Sequence, residues 1–265
     1  MIEFDDHLVV VGTGIRTVGH LTTEAAAWIK RADHVVYVVT DPVGEGVVRC
    51  LNPRCESLSG LYAPDLSRMK TYEKMIERTL EVVRSGARTC FAAYGHPGVF
   101  AYPTHESVRR ARAEGFRARM LPGISAEDCL FADLNFDPAS RGCASFEASD
   151  FLLNRRIHDP TSHLVLWQIG VLGEPRGLLG KAKPRGLPLL LEKLLESYPE
   201  DHEVQLYVAP MFPNLDPDIQ SIPLAKLVDT PFSIMTTLYV PPYGEPDTNW
   251  SLVEEFGFDT AAGDD

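Results

Sequence analysis

The sequence predicts an α/β protein with two domains, the first built on a parallel sheet flanked by helices. Strand-like and helix-like segments alternate through the first half of the 265 residues. The strand-like runs are continuously apolar and rich in valine, which is typical of strands buried on both faces. Near residues 120–140 this alternation gives way to strands separated by long Pro/Gly-rich connections. We therefore predict domains at 1–122 and 123–245, followed by an acidic tail at 246–265.

The opening strand and helix illustrate the pattern. The apolar run at residues 8–11 stops at Gly12-Thr13-Gly14, as a buried strand that enters a tight loop would. Thr22-Thr23 then offers an N-cap for a helix whose apolar stripe reaches Ala32. A second valine-rich strand follows at residues 35–39.

The rest of the first half repeats this order of strand and helix. Apolar residues spaced by three and four predict a helix over 69–83, and Gly86 stands where its C-terminal cap would be. Further segments follow in order: a strand at 89–93, a helix at about 104–114, a strand at 118–121 and a helix that starts near Ser125.

The second half has fewer regular elements and longer connections. Its predicted elements are strands at about 164–169, 204–208 and 234–240 and a helix at 187–198. Pro/Gly-rich connections at 170–188 and 210–217 separate them, and residues 260–265 are expected to be frayed.

The acidic charge balance argues against two classes of partner. Asp and Glu total 37 against 25 Lys and Arg, which gives a net charge of −12. Nucleic acids and anionic membranes both attract a surplus of basic side chains, so we predict neither as a partner. Solubility is the simplest use of the acidic surface, and attraction of a basic partner is the alternative.

The sequence predicts a cytoplasmic protein without a metal site. No apolar run approaches the roughly 20 residues that span a bilayer, and the first residues are acidic where a signal peptide is basic. The five cysteines are scattered and form no paired CxxC motif. This pattern indicates reduced thiols rather than a disulfide framework or a zinc site.

Three glycine-containing loops follow predicted strands and are candidates for ligand binding. Gly12-Thr13-Gly14 lacks the third glycine and the acidic residue of a dinucleotide fingerprint, so it indicates only a sharp turn. Residues 91–100 predict either a ligand loop or a rigid turn in which Phe100 plugs the core. At residues 122–125, Ser125 predicts either a helix cap that faces a ligand or an ordinary N-cap.

Together the three loops resemble the tetrapyrrole methylase superfamily of S-adenosylmethionine-dependent methyltransferases. That family opens with a Gly-x-Gly loop, a Leu-Thr helix start and an Ala-Asp pair, which match Gly12-Thr13-Gly14, Leu21-Thr22 and Ala32-Asp33. Its Gly-Asp-Pro signature aligns with Gly95-His96-Pro97, and its Pro-Gly-Ile-Ser motif is present at residues 122–125. The resemblance runs from residue 8 to about 242 and implies a class III methyltransferase fold with the cofactor between two domains.

Two residues depart from the family motifs, and they narrow the activities that the resemblance implies. Ile15 replaces the family proline and His96 replaces the aspartate, whereas corrin-ring methylases and diphthine synthase usually keep both. Residues 94–98 and 238–242 look like the borosin branch, whose members methylate backbone amide nitrogens of ribosomally made peptides. A tetrapyrrole or diphthine-type methyltransferase and a non-catalytic binding protein on the same fold are the alternatives.

The borosin resemblance implies four catalytic residues, namely Tyr62, Arg68, Tyr72 and Tyr94. An amide nitrogen is a poor nucleophile because its lone pair is delocalised, so methylation needs proton removal or polarisation of the amide. A guanidinium beside a tyrosine favours the phenolate and can stabilise charge on the peptide oxygen. Arg68 and Tyr72 are four residues apart on the predicted helix and therefore share a face. The alternatives are core packing for Tyr72 and an ion pair of Arg68 with Asp65 or Glu73.

The same resemblance implies the residues that contact S-adenosylmethionine, or S-adenosylhomocysteine as the product. They follow successive strands: Tyr94, His96, Val99, Phe100, Ser125, Ala126, Gln168, Tyr207, Ala209 and Thr237. Packing is the alternative for each of them. His96 has no second ligand at metal spacing, so we reject a metal role for it.

The resemblance also implies a homodimer, or a heterotetramer with two precursor chains. Fused borosin enzymes continue into a helical clasp and then an apolar substrate peptide. Residues 246–265 are acidic and carry no apolar stretch of that kind. We therefore expect iterative methylation of a separate precursor peptide, for which the acidic surface is a candidate docking feature.

Overall fold

Ten strands form two five-stranded sheets in the computed structural model, which describes residues 5–63, 66–174 and 184–258. The first sheet comes from the first half of the chain and the second sheet from the second half. Residues 121–142 separate the last strand of the first sheet from the first strand of the second. The domain limits at 122 and 245 stay predictions.

The first sheet is parallel throughout, which confirms the prediction from its continuous apolar runs. Its strands are β1 (Leu8–Gly12), β2 (His34–Val38), β3 (Cys55–Ser57), β4 (Thr89–Ala93) and β5 (Ala118–Met120). They lie in the order β3-β2-β4-β1-β5. Gly12, Val38 and Ala93 share one register, so the loops after β1, β2 and β4 leave the sheet at the same edge.

Helices cover both faces of this sheet. They are α1 (Thr17–His20), α2 (Thr23–Arg31), α3 (Pro42–Leu51), α4 (Arg68–Arg84) and α5 (Tyr102–Ala113). Three of them, α2, α4 and α5, confirm predicted helices; Thr22 caps α2, and Gly86 follows α4 with φ +87°. The sequence missed α1, which is a single turn, and α3, whose apolar pattern is interrupted by Gly44 and Gly46.

The side chains of β1 show why its sequence is apolar without alternation. Leu8 and Val10 pack in the core beneath α4 and α5, whereas Val9 and Val11 pack in the core beneath α2. All five β1 residues are buried. The strand therefore contributes to two hydrophobic layers at once, as expected for a sheet between helices.

The second sheet is mixed and mostly antiparallel. Its strands are β6 (Cys143–Glu147), β7 (His163–Trp167), β8 (Glu203–Val208), β9 (Asp218–Pro223) and β10 (Thr237–Val240). Their order is β6-β7-β10-β8-β9, and only β6 and β7 run parallel to each other. The helices of this half are α6 (Ala126–Leu134), α7 (Pro138–Arg141), α8 (Ala148–Leu153), α9 (Leu187–Leu195) and α10 (Trp250–Phe256).

Several predictions for the second half were wrong or incomplete. The strand predicted at 234–240 begins only at Thr237, and the helix predicted at 187–198 ends at Leu195. The sequence missed β6, β9, α7, α8 and α10. In β9 only Ile219 and Ile222 are branched apolar residues, and their spacing of three does not follow the alternation of a strand.

The acidic tail predicted at 246–265 contains α10. Residues 259–265, and with them the end predicted to be frayed, lie outside the described residues, as do residues 175–183 of the predicted connection. No helix in the described ranges combines the length and apolar character needed to cross a membrane. The cytoplasmic location stays a prediction.

Candidate active site

A cleft of about 800 Å³ is lined by loops from both sheets. All the residues that the sequence analysis assigned to a catalytic or cofactor site line this cleft. They are Tyr62, Arg68, Tyr72, Tyr94, His96, Val99, Phe100, Ser125, Ala126, Gln168, Tyr207, Ala209 and Thr237. Their grouping is a property of the structure, whereas their chemical roles stay predictions.

Close backbone contacts hold the loops after β1, β4 and β5 together. Gly14 and Gly95 exchange two backbone hydrogen bonds, with N···O distances of 3.2 and 3.0 Å. A Cβ atom at Gly12 would overlap the carbonyl oxygen of Gly95 and would lie 3.3 Å from the Cα atom of Gly123. Gly12 therefore makes room for neighbouring protein loops rather than for the phosphates of a dinucleotide.

The loop after β4 forms one wall of the cleft. The His96 ring is fixed because its Nδ1 atom accepts a hydrogen bond from the Gly98 backbone N–H at 2.9 Å. Phe100 has a left-handed backbone (φ +48°) and is 49% exposed, with its ring centroid 6.1 Å from that of Trp167. Phe100 is therefore not a core plug; it presents an aromatic ring to the cleft, as a ligand loop requires.

Ser125 begins α6 with a complete capping box. Its Oγ atom accepts a hydrogen bond from the Asp128 N–H at 3.2 Å, and the Asp128 carboxylate accepts from the Ser125 N–H at 2.6 Å. The N-cap role of Ser125 is thus present in the structure. Ala126 and Glu127 in the first turn also line the cleft, so the N-terminus of α6 reaches the candidate site.

Arg68 begins α4 and connects the two halves of the cleft. Its Nη1 atom donates a hydrogen bond to Oε1 of Gln168, which follows β7, at 3.3 Å. Glu73, one of the two acidic partners considered for Arg68, instead pairs with Arg110 at 2.8 Å. The other, Asp65, lies outside the described residues.

Tyr72 lies one turn after Arg68 on α4. The sequence analysis offered two interpretations of Tyr72, core packing and a role beside Arg68, and the structure shows both kinds of contact. It packs against the hydrophobic core, and its ring stacks with that of Tyr102 at a centroid distance of 6.3 Å. It also lies within the electrostatic influence of Arg68. Tyr62 precedes α4, is 44% exposed, and interacts electrostatically with both residues. All three residues line the same cleft, and Arg68 acts electrostatically on both phenols.

Burial raises the pKa of Tyr72 and the pKa of Tyr62 above the ordinary tyrosine value. Arg68 lowers both pKa values, as the sequence analysis expected, but burial outweighs this effect. Burial also raises the pKa of Tyr94 to about 12. The phenols are therefore neutral near pH 7, and each is a stronger base once deprotonated.

Tyr207 and Thr237 lie beside each other in the second sheet, where their strands pair. Tyr207 is fully buried, and its hydroxyl donates to the Asp133 carboxylate at 2.7 Å. Thr237 is buried as well. These contacts match the packing alternative at both positions, and the two side chains contribute a wall of the cleft.

Sequence reasoning missed part of the wall that the second half provides. Trp167, Met211, Asp216, Asp218 and Met235 also line the cleft. Trp167 ends β7, and a large aromatic residue at a strand end was the available signal. Met211 and Asp216 lie in the connection at 210–217, where no periodic pattern marks a site.

The cleft suits a nucleoside that carries a positive charge. Val99 and Phe100 are partly exposed and offer apolar surface to a base, and the volume lies in the range of small-molecule sites. Glu127, Asp216 and Asp218 line the same cleft and supply carboxylates for a cation. This donor set fits S-adenosylmethionine, which combines an aromatic base with a sulfonium and an ammonium group.

The fold and the site define a class: two-domain α/β proteins in which strand-end loops form a nucleoside-sized cleft. Comparison with known families is more specific. The chain belongs to the Tetrapyrrole (Corrin/Porphyrin) Methylases, because the model of that family matches residues 7–209.

Curated relatives carry names that combine a methyltransferase with a peptide precursor. The methyltransferase/ribosomally synthesized cyclic peptide dendrothelin A precursor of Dendrothele bispora is 39% identical over 255 residues, 95% of this chain and 61% of the relative. A type I borosin cyclic peptide precursor of Coprinopsis marcescibilis is 40% identical over 94% of this chain and 65% of its own length. The chain thus spans less than two thirds of these relatives.

Solved structures share the fold at low sequence identity. Uroporphyrin-III-C-methyltransferase from Thermus thermophilus superposes with a TM-score of 0.61 at 20% identity, over 89% of this chain and 91% of that chain. A cobalt precorrin-4 methyltransferase gives a TM-score of 0.64 at 12% identity, over 91% of this chain and 97% of its own. These likenesses confirm the predicted two-domain methyltransferase fold and carry no information on the substrate.

Proposed function

We propose that this chain transfers methyl groups from S-adenosylmethionine to backbone amide nitrogens of a peptide, and does so repeatedly. The observation that carries the proposal is the grouping of Arg68 with Tyr62 and Tyr72 at a cleft that fits the cofactor. The relatives named as methyltransferase and cyclic peptide precursor support a peptide as acceptor. When bound, S-adenosylmethionine supplies an electrophilic methyl group.

The residues around Arg68 can make an amide nitrogen nucleophilic. The guanidinium stabilises negative charge that develops on the amide oxygen, and the neutral Tyr62 phenol can donate a hydrogen bond to the same oxygen. Tyr72, once deprotonated, accepts the amide proton. Its raised pKa makes the phenolate scarce at neutral pH but a stronger base when it forms.

The remaining cleft residues serve to hold and orient the reactants. Tyr94, Val99 and Phe100 offer surface to the nucleoside, and Glu127 and Asp216 offer charge to its cationic end. Methyl transfer by in-line displacement depends on close positioning of donor and acceptor more than on covalent help. The rigid loop contacts around Gly12 are suited to that requirement.

Three further parts of the proposal concern partners. The acceptor is a separate peptide, the enzyme is a homodimer or a heterotetramer with two precursor chains, and the acidic surface helps to attract a basic precursor segment. Light scattering of the purified chain with and without a peptide tests the assembly. A monomer at micromolar concentration that methylates peptide would contradict the dimer.

The test of the activity combines the purified chain, S-adenosylmethionine and a synthetic peptide rich in valine and isoleucine. Mass spectrometry is expected to show successive gains of one methylene mass, with fragment ions that place them on backbone nitrogens. Tyr72→Phe is the matched control, because it keeps the ring that stacks with Tyr102 and removes the hydroxyl. Methylation of a corrinoid but not of peptides would overturn the proposal. An added peptide that stays unmodified while the same peptide fused to the chain is methylated would refute the separate acceptor.

A further inference from the structure

We infer that Gln168 is a positioning residue for Arg68, and that its neutral side-chain oxygen orients the guanidinium without neutralising it. The inference rests on the proposed function, since it assigns to Gln168 a part in activating the amide. It differs from the role implied by the resemblance, in which Gln168 contacts the nucleoside. The two roles predict different kinetic effects.

The backbone at the end of β7 brings Gln168 to the cleft. Gln168 has left-handed dihedral angles (φ 62°, ψ 30°), which are uncommon for a residue with a side chain. Its Oε1 atom accepts the hydrogen bond from Arg68 Nη1, 100 positions away in sequence. Non-glycine residues in this conformation cluster at functional sites, and Gln168 lies at the cleft.

The preceding residue fixes this corner of the chain. The Trp167 indole donates from Nε1 to the Ser145 hydroxyl at 2.8 Å, and its ring lies against Phe100 of the loop after β4. Trp167 and Gln168 therefore contact two parts of the first half at once, Phe100 and Arg68. This arrangement couples the position of the guanidinium to the wall that would hold the nucleoside.

The hydrogen-bond acceptor for Arg68 is the neutral amide oxygen of Gln168 rather than a carboxylate, and this difference has an electrostatic consequence. A carboxylate in its place would form an ion pair with Arg68 and reduce the positive field at the amide oxygen of the acceptor. It would also weaken the effect by which Arg68 lowers the pKa of Tyr72. A glutamine oxygen accepts one N–H and leaves the charge of the guanidinium in place. The titratable and charged groups that share the cleft with this pair are Tyr62, Tyr72, Tyr94, His96, Glu127, Tyr207, Asp216 and Asp218.

The test compares Gln168→Glu and Gln168→Leu with the matched controls Gln220→Glu and Gln220→Leu. Gln220 is exposed on β9, the outer strand of the second sheet, so its variants control for the same chemical change. Both Gln168 variants are expected to lower kcat about tenfold or more, as loss of an oriented charge in a transition state does. Binding of S-adenosylhomocysteine, measured by calorimetry without peptide, should change by less than about threefold.

The pH profile, extended to the pH at which kcat levels off, separates the two variants. In Gln168→Glu kcat should level off at a higher pH than in the wild type, because the carboxylate opposes the effect of Arg68 on the Tyr72 phenol. In Gln168→Leu kcat should level off at the same pH as in the wild type, but at a lower value. The Arg68 Nη–H signals, assigned with Arg68→Lys, should exchange faster with solvent in Gln168→Leu than in the wild type and in Gln220→Leu, because Nη1 donates the hydrogen bond to Gln168.

A loss of cofactor binding equal to the loss of kcat/KM, with kcat unchanged, would overturn the inference and leave Gln168 as a nucleoside contact. Unchanged Arg68 signals in Gln168→Leu would overturn it as well. Calorimetry and the arginine signals need no peptide. They therefore report on Gln168 even if the wild-type chain methylates no peptide, which would instead defeat the proposed function.

Discussion

Replacing Gly12 with alanine is expected to destabilise the protein, because three loops meet where the new methyl group would lie. The added Cβ would overlap the carbonyl oxygen of Gly95 and would lie 2.8 Å from Cδ of Pro97. Neither atom belongs to the end of a flexible side chain. The loops themselves would have to move, and they also carry the residues that line the cleft.

The size of the effect follows from the number of contacts. Adding a methyl group to a packed interior costs about 1–3 kcal/mol, and two contacts below 3.0 Å with rigid atoms place Gly12→Ala near the upper end. About 3 kcal/mol corresponds to a fall in Tm of about 6–12 °C for a protein of this size. The same displacement should weaken binding of S-adenosylhomocysteine.

Gly46→Ala is the matched control. Gly46 is exposed in α3, and a Cβ there would have no atom within 4 Å. Alanine in an exposed helix interior is favoured over glycine by about 0.5–1 kcal/mol, so Gly46→Ala should raise Tm. Calorimetric scans of both variants, with ligand titrations, measure these effects. A Gly12→Ala protein with unchanged Tm and unchanged ligand affinity would refute the argument from loop contact.

Other predictions concern the chemistry and the capping of α6. Tyr72→Phe should lower kcat about 10²–10⁴-fold with unchanged affinity for S-adenosylhomocysteine, and full turnover would exclude Tyr72 as the base. Burial holds the pKa of Tyr72 above its ordinary value, and the base is the deprotonated form. We therefore expect kcat to rise about tenfold per pH unit from pH 7 to 9, and a plateau near pH 7 would contradict this. Phe100→Ala should weaken S-adenosylhomocysteine binding about tenfold in calorimetry, and unchanged affinity would remove Phe100 from the nucleoside site. Ser125→Ala removes the capping box and should lower the free energy of unfolding by about 1 kcal/mol in urea titrations; an unchanged midpoint would show that the cap is dispensable.

The elements that could be predicted are those with strong local signals. β1 and β4 are apolar at every position or nearly so, and α4 repeats apolar residues over 17 residues, so their types are readable from neighbours in the chain. Ser125 and Gly86 mark helix ends through chemistry confined to a few residues. By contrast, β9 is an exposed edge strand. Its sequence carries no strand pattern, and it is held as a strand by its pairing with β8.

The candidate site also has features that the sequence predicted and features that only the tertiary structure decided. Resemblance to the family alone selected many of the residues that line the cleft, but it missed others of the second half, such as Trp167 and Asp216. Only the tertiary structure joined Arg68 to Gln168 and brought Gly12 against Gly95 and Gly123. It also decided that burial outweighs Arg68 in setting the pKa of Tyr72, because desolvation depends on everything packed around a group and charge effects depend on distance in space.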